Sequence, residues 1–364
     1  MMKLSEKVNQ HVDSCRFCWM CHHICPIGNA TGHERSTPRA RALGISLVTR
    51  GALQLDDIMD NIYECAGCGA CVQVCVTGWD PVMFTKAVRE QAALEGKLPD
   101  YIRKLVANCL SSGNAYGMTD PAGELQAAIG RHSAKTDTLL FLGADARYKM
   151  PEQAEKTIAV LERAGADVTV LAEEPASGAQ MDYLVGALRE TKAQMQACAA
   201  VLNGYKTVIA ADPTDAKVLR RTYAEYGVEL SCLVVTFPSY ALELLQSGRL
   251  TVRKQALPVV YQDPFQLSRD LGETEEPRAL ISACADLSEM LLHGEETVWA
   301  GNLLMAEWMP EVMRAVAARR IFNAESVGAK TIVTACVGEY AALKAAETDG
   351  VNILSMEDLI LGGN

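Results

Sequence analysis

From Thr138 onward, short runs of β-branched and aliphatic residues alternate with helix-length segments. That pattern predicts parallel α/β layering. Thr138–Leu142, Asp167–Leu171, Thr207–Ala211, Leu230–Val235, Pro258–Tyr261, Thr331–Ala335 and Asn352–Leu354 read as strands. Pro151–Ala164, Thr214–Tyr226, Pro310–Ser326 and Tyr340–Ala346 read as helices between them. The stretch from Gly204, Gly-Tyr-Lys-Thr-Val-Ile-Ala-Ala-Asp, is echoed from Gly328 by Gly-Ala-Lys-Thr-Ile-Val-Thr-Ala-Cys. A two-fold α/β repeat with parallel sheets, 136–255 and 256–364, is the simplest account.

The first 110 residues read differently. Thr37 and Pro38 predict an N-cap and first helical residue, opening an apolar-periodic run from Ala40 to Val48 that Gly51 closes. A second helix begins near Leu55, with Asp56, Asp57 and Asp60 in early turns where the helix dipole favours negative charge. Pro81–Leu94 is helical again. Residues 111–135 read as a linker to the α/β part.

At 364 residues, 49% of them apolar, the chain is expected to hold two or three packed domains. No run approaches the roughly 20 apolar residues of a membrane-spanning helix, so any membrane contact is expected to be peripheral or through a partner. The net charge of −11 is uneven: residues 1–110 carry 12 Lys and Arg against 11 Asp and Glu, leaving −12 for the remainder. No basic domain or stripe exists, so nucleic acid is not an expected partner.

Eight of the 13 cysteines form two matching C-x2-C-x2-C-x3-C runs: Cys15, Cys18, Cys21, Cys25 and Cys65, Cys68, Cys71, Cys75. The spacing predicts two 4Fe-4S clusters with crossed ligands, as in two-cluster ferredoxins. One cluster takes Cys15, Cys18, Cys21 and Cys75, and the other Cys65, Cys68, Cys71 and Cys25. Cys25 is followed by Pro26, as the bacterial pattern wants, but Cys75 by Val76. Two full runs hold more thiolate than a zinc site uses. Disulfides need an oxidising compartment, and Met1–Gln10 has no apolar signal-peptide core, so a reducing, cytoplasmic location is expected, reaching the inner membrane face only through partners.

Gly67 and Gly69, between ligands, are expected to let backbone N–H groups approach the cluster. Gly28 and Gly78 read equally as donors or as simple turns. His22 and His23 read as surface or supporting residues rather than ligands. Arg35, Arg39 and Arg41 read as a solvated helix face, with compensation of cluster charge as the alternative. The 39 residues between Cys25 and Cys65 exceed what a minimal ferredoxin uses, which predicts a two-cluster ferredoxin-like domain embedded in helices.

The double cysteine motif, Glu34, Thr37-Pro38-Arg39 and the two α/β halves together resemble the heterodisulfide reductase-type iron–sulfur family. That family includes the iron–sulfur subunits of anaerobic glycerol-3-phosphate dehydrogenase, glycolate oxidase and lactate-utilisation complexes. The resemblance implies cysteine-rich signatures ending in Cys-Cys-Gly in each half, able to hold a further cluster. This chain has Ala144 where cysteine is expected, Glu173-Glu174-Pro175-Ala176-Ser177-Gly178 for Glu-Glu-Pro-Cys-Cys-Gly, and Asp212-Pro213 for Cys-Pro. In the second half Asp263-Pro264-Phe265 stands for Asp-Pro-Cys and Trp299-Ala300-Gly301 for Cys-Cys-Gly, and only Cys336 is retained. One thiolate cannot hold a cube, so no third cluster is expected. Cys109, Cys198, Cys232 and Cys284 lie at no ligand spacing and read as buried apolar residues.

No dinucleotide fingerprint, P-loop or nucleophile elbow follows any strand. The resemblance implies an electron-transfer subunit working with an FAD-containing dehydrogenase that oxidises a 2-hydroxy acid or related alcohol. Electrons would pass to a quinone, a ferredoxin or another iron–sulfur protein. Two other readings stay open. One is a reductase whose α/β cleft binds a quinone or other acceptor near Cys336, His293, Trp299 and Trp308. The other is a redox sensor that signals by cluster loss.

Overall fold

A computed structural model of the chain describes residues 4–15, 18–121, 123–348 and 350–362. The helix Pro38–Thr49 starts as its sequence predicts, with the Thr37 hydroxyl accepting from the Ala40 N–H at 3.4 Å. It packs with Glu6–Asp13 and Pro81–Leu94, and Ile45, Ile62, Phe84 and Val88 are wholly buried among them. The chain near Leu55 forms a 3₁₀ turn, Leu55–Ile58, running into a short helix, Met59–Tyr63.

The α/β part contains two four-stranded parallel sheets. The first has β1 (Thr138–Phe141), β2 (Thr169–Val170), β3 (Thr207–Ala210) and β4 (Leu233–Thr236) in the order β2-β1-β3-β4. The second has β5 (Pro258–Gln262), β6 (Asp286–Ser288), β7 (Thr331–Thr334) and β8 (Asn352–Ser355) in the order β6-β5-β7-β8. The central strands β1, β3, β5 and β7 are almost entirely buried, as expected of parallel strands covered on both faces. A shared core joins the sheets, with Leu140 and Ile209 from the first and Val259 and Tyr261 from the second.

Two features depart from the sequence reading. The stretch 111–135 is not free chain: Gly123–Arg131 is a helix whose Leu125, Ala128 and Ile129 are buried against Pro151–Arg163. The helix Ala179–Val185 follows β2, yet its Met181, Leu184 and Val185 pack into the N-terminal helical core. The N-terminal and α/β parts are therefore interlocked. Among the described residues no helix is long and apolar enough to cross a membrane.

Candidate iron–sulfur sites and the adjoining cavity

The eight cysteines sort into two small cavities. Cys15, Cys18, Cys21 and Cys75 line the outer one, with Trp19, Arg39 and Trp79. Cys25, Cys65, Cys68 and Cys71 line the inner one, with Gly67, Gly69 and Arg41. Each takes three thiols from one run and the fourth from the other.

Local conformation brings this about. Between the second and third cysteine of each run the chain turns through a left-handed residue, Trp19 (φ 69°) or Gly69 (φ 72°), which caps a short helix, Met20–Ile24 or Ala70–Gln73. Pro26 then starts a new helix, Pro26–Thr31, and carries Cys25 away from its own run. After Cys75 no proline does this: Val76 is 86% exposed and Gly78 turns at φ 67°. The Gly28 and Gly67 N–H groups donate to the Cys25 and Cys65 sulfurs, both at 3.4 Å. Gly69 holds the turn.

The two sites differ in exposure. Cys18 is exposed and Cys15 and Cys75 half-buried, whereas all four inner cysteines are buried. Burial pushes the Cys68 thiol up to about 11 and raises Cys25 and Cys71 in the same direction, with Arg41 opposing at the latter two. Cys75 is also raised by partial burial, but the Thr77 hydroxyl and the Thr77, Trp79 and Gly78 N–H groups outweigh this and bring it below its usual value. Thiols held this way must shed protons as metal binds.

Arginine is where the sequence reading needs correction. Arg35 is solvated, its side chain 72% exposed. Arg41 is buried, donating to Asn61 O at 3.0 Å and Ser36 O at 2.9 Å beside the inner thiols. Arg39 lies over the Trp19 ring, 4.0 Å from its centroid, at the outer site. Three further residues went unnoticed in the sequence. Arg89 donates to Cys65 O at 2.7 Å, Tyr183 OH donates to the same carbonyl at 2.8 Å, and Arg269 donates twice to Cys68 O at 2.7 and 3.0 Å. Arg89 was legible in principle, because it stands on the buried face with Thr85, Val88 and Ala92. Tyr183 and Arg269 carried no sequence signal, since they reach the loop from far along the chain, from the segments that follow β2 and β5. His22 faces Glu34 at 3.3 Å and lines neither cavity.

Among the described residues no three His, Cys, Asp or Glu side chains gather closely enough for a single ion. The thiols stand around cavities instead, with backbone donors aimed at sulfur and a buried guanidinium alongside. Those features fit 4Fe-4S cubes, which would supply reversible one-electron transfer at each site.

A much larger cavity of about 200 Å³ lies beyond the inner site and shares Cys65, Ala66, Gly67 and Val82 with it. It opens at the carboxyl ends of β1, β3, β5 and β7, where ligands of open α/β sheets bind. The positions at which the resemblance implies cysteine converge here: Ala144, Ala176, Ser177, Asp212, Phe265 and Trp299 all line it, with the retained Cys336. Burial, then Asp212 and Glu339, push the Cys336 thiol well up, and its sulfur lies 3.7 Å from the Asp212 carboxyl. Of the residues expected near Cys336, Trp299 shares the cavity. His293 and Trp308 do not line it; Trp308 packs on Tyr101 and Tyr183. Cys109, Cys198 and Cys284 are buried and their thiols pushed up to about 12, 12 and 11, while Cys232 is half-buried.

Comparison with known proteins agrees with this chemistry. Residues 11–79 match a family described as a 4Fe-4S dicluster domain. A probable membrane-anchored ferredoxin of Chromohalobacter salexigens is 28% identical over 70% of this chain and 40% of its own length. One subunit of the fumarate reductase (CoM/CoB) of Methanothermobacter marburgensis is 23% identical over 88% of this chain and 65% of its own. One subunit of the dihydromethanophenazine:CoB–CoM heterodisulfide reductase of Methanosarcina mazei is 23% identical over 89% and 86%. The chain thus spans less than two thirds of the first two of these relatives. A hypothetical protein from Helicobacter pylori shares the fold, with a TM-score of 0.55 at 11% identity over 88% of this chain and 67% of that one. With a dicluster domain around its cysteine runs and heterodisulfide reductase subunits among its relatives over most of its length, the chain is similar to the heterodisulfide reductase-type iron–sulfur proteins.

Proposed function

We propose that this chain is the electron-transfer subunit of a multisubunit oxidoreductase, carrying two 4Fe-4S clusters. The outer would be held by Cys15, Cys18, Cys21 and Cys75, the inner by Cys65, Cys68, Cys71 and Cys25. The observation that carries the reading is the sorting of eight thiols into two neighbouring cavities, one reaching the surface and one buried. Surface access suits exchange with a partner, while burial and backbone donors suit retention of charge inside the fold.

Such a subunit serves a two-electron donor that releases its electrons singly, and a flavin is the cofactor that does so. An FAD-containing dehydrogenase acting on a 2-hydroxy acid or related alcohol is therefore our choice of donor. The names of the relatives, subunits of a fumarate reductase and a heterodisulfide reductase, support membership of a complex. The shared strand order of the two sheets supports two repeated α/β halves, 136–255 and 256–364, as a scaffold behind a cluster domain of residues 1–110. The name of the ferredoxin relative favours peripheral membrane association through a partner.

The test is anaerobic purification of the native complex, with partners identified by mass spectrometry and flavin, iron and sulfide assayed on one sample. A flavoprotein at stoichiometric ratio with about eight irons per copy of this chain is the expected result. The chain alone, iron-loaded but without flavoprotein, would contradict it.

A further inference from the structure

The two thiol sites differ in the cations around them. At the outer site Arg39 shares its charge with Glu34 at 3.7 Å. At the inner site three guanidiniums converge from separate elements and bond carbonyls instead. Arg41, on Pro38–Thr49, donates to Asn61 O and Ser36 O. Arg89, on Pro81–Leu94, donates to Cys65 O at 2.7 Å, Ile62 O at 2.9 Å and Tyr183 O at 3.0 Å, and its Nη2 also reaches the Tyr183 hydroxyl. Arg269 donates to Cys68 O, Glu295 O and Thr297 O. It comes from Gln266–Leu271, one of three π-helical turns, with Asp145–Lys149 and Val218–Thr222, that also deliver residues to the large cavity.

Among the described residues none of these three pairs with a carboxylate. Glu64, the acid that bears on Arg41, faces Arg35 at 3.7 Å. Arg41 and Arg89 are 1% and 4% exposed, and the Arg89 Nε has no partner. A guanidinium this deep is costly unless an anion answers it, and the inner thiols are the groups in position to do so. Backbone donors do not separate the sites: Gly28 and Gly67 serve inner sulfurs, and Thr77, Gly78 and Trp79 serve Cys75. Reduction adds one negative charge. An unpaired cation favours that charge, whereas one already shared with a carboxylate favours it little. Burial opposes the added charge at the inner site, yet the same loss of water removes the screening between it and the guanidiniums. Three unpaired cations against one paired cation set the sign.

We propose that the inner site has the higher reduction potential of the two, set by the buried charge of Arg89 together with Arg41 and Arg269, so that electrons enter at the outer site and run inward. Arg89 is a positioning residue: it touches the Cys65 carbonyl and not the sulfur, and it acts through its charge. The inference rests on the relay reading and gives it a direction, with the flavoprotein on the side of the exposed thiols.

An anaerobic, EPR-monitored redox titration of the native complex tests it, the outer signal being the one that Cys75→Ser removes. With one electron added per chain, the reduced inner signal should exceed the outer at least tenfold, which for a one-electron couple is about 59 mV. Arg89→Gln should cut that excess about tenfold, and Arg89→Lys, which keeps the charge, should cut it less. Reduction of the outer site first, or an even division, would overturn the proposal, and the wild-type protein answers this whether or not a variant folds. An unchanged division in iron-replete Arg89→Gln would overturn the role given to Arg89. Iron, sulfide and flavin on the same sample separate the two readings. Two clusters filling in the reverse order overturn the direction and leave the relay standing, whereas the expected order without a flavoprotein contradicts the relay and leaves the order of potentials standing.

Discussion

Arg41 is the residue at which the sequence misleads most instructively. It belongs to a run of arginines on a helix that otherwise looks solvated, and Arg35 is indeed solvated. Arg41 instead points into the fold, where burial disfavours its charge but Cys65, Cys25 and Cys71 more than restore it. Helical periodicity cannot separate these outcomes, because only the return of the chain through Cys65–Cys71 creates the charge that Arg41 meets. If Arg41 offsets negative charge at the inner site, Arg41→Gln should lower the potential of that cluster on the order of 50 mV. For one electron ~59 mV corresponds to about 1.4 kcal/mol, a reasonable Coulomb term at an effective dielectric near 20. Arg41→Lys, which keeps the charge, should shift it less. An EPR-monitored redox titration reads both, and an unchanged inner potential in Arg41→Gln would make the residue purely structural. Trp19 and Gly69 offer a second contrast, since both adopt left-handed backbone at equivalent turns. Gly69→Ala meets only ordinary van der Waals contact, its nearest neighbour being Arg269 Nε at 3.8 Å. Its cost should therefore be the backbone term alone, about 1–2 kcal/mol by thermal unfolding.

At the scale of elements, the inner thiol loop is clamped from both sides of the α/β part. Tyr183, on a helix that follows the first sheet's β2, and Arg269, in a π-helical turn after β5, both bond carbonyls of cysteine residues. Arg269 also ties down the Glu295 and Thr297 carbonyls. Arg269→Ala should therefore lower stability by about 2–4 kcal/mol, as expected for loss of several charge-assisted hydrogen bonds. Iron loss under a chelator should accelerate at the inner site before the outer, and equal loss from both would argue against a local clamp. None of this was legible beforehand. Aliphatic runs reveal β1, β3, β5 and β7 because these strands are buried on both faces. The edge strand Asp286–Ser288 escapes because its ends are exposed and polar. The helices Pro81–Leu94 and Pro310–Ser326 match their sequence-based bounds, having Pro at their first position. The π-helical turns leave no periodic trace, so the cavity they build was invisible, although the missing cysteines that line it were each recognised.

At the scale of the whole molecule, buried carboxyls on the α/β part couple folding to pH. Glu357 is 7% exposed and accepts from Thr157 at 3.0 Å, joining the C-terminal helix Met356–Leu361 to Pro151–Arg163. Burial pushes it up to about 7, and Glu339 up to about 8. An acid whose folded value exceeds its unfolded one binds protons more tightly when folded. Its contribution is therefore complete below about 4.3 and disappears as pH rises through the folded value. Melting temperature should fall between about pH 4.5 and 8, and Glu357→Gln should flatten part of that slope below about pH 7, worth on the order of 3 kcal/mol at most. An identical slope in Glu357→Gln would place the pH dependence elsewhere. The account as a whole rests on the crossed partition of cysteines, which motif spacing suggests and for which the two cavities, each lined by three thiols of one run and one of the other, are the structural support. Its most direct test is the EPR spectrum and iron content of anaerobically purified Cys75→Ser. The account predicts loss or conversion of the outer cluster alone, with the inner signal intact even though Cys75 belongs to the second run. Disappearance of the inner signal with the outer retained would contradict it.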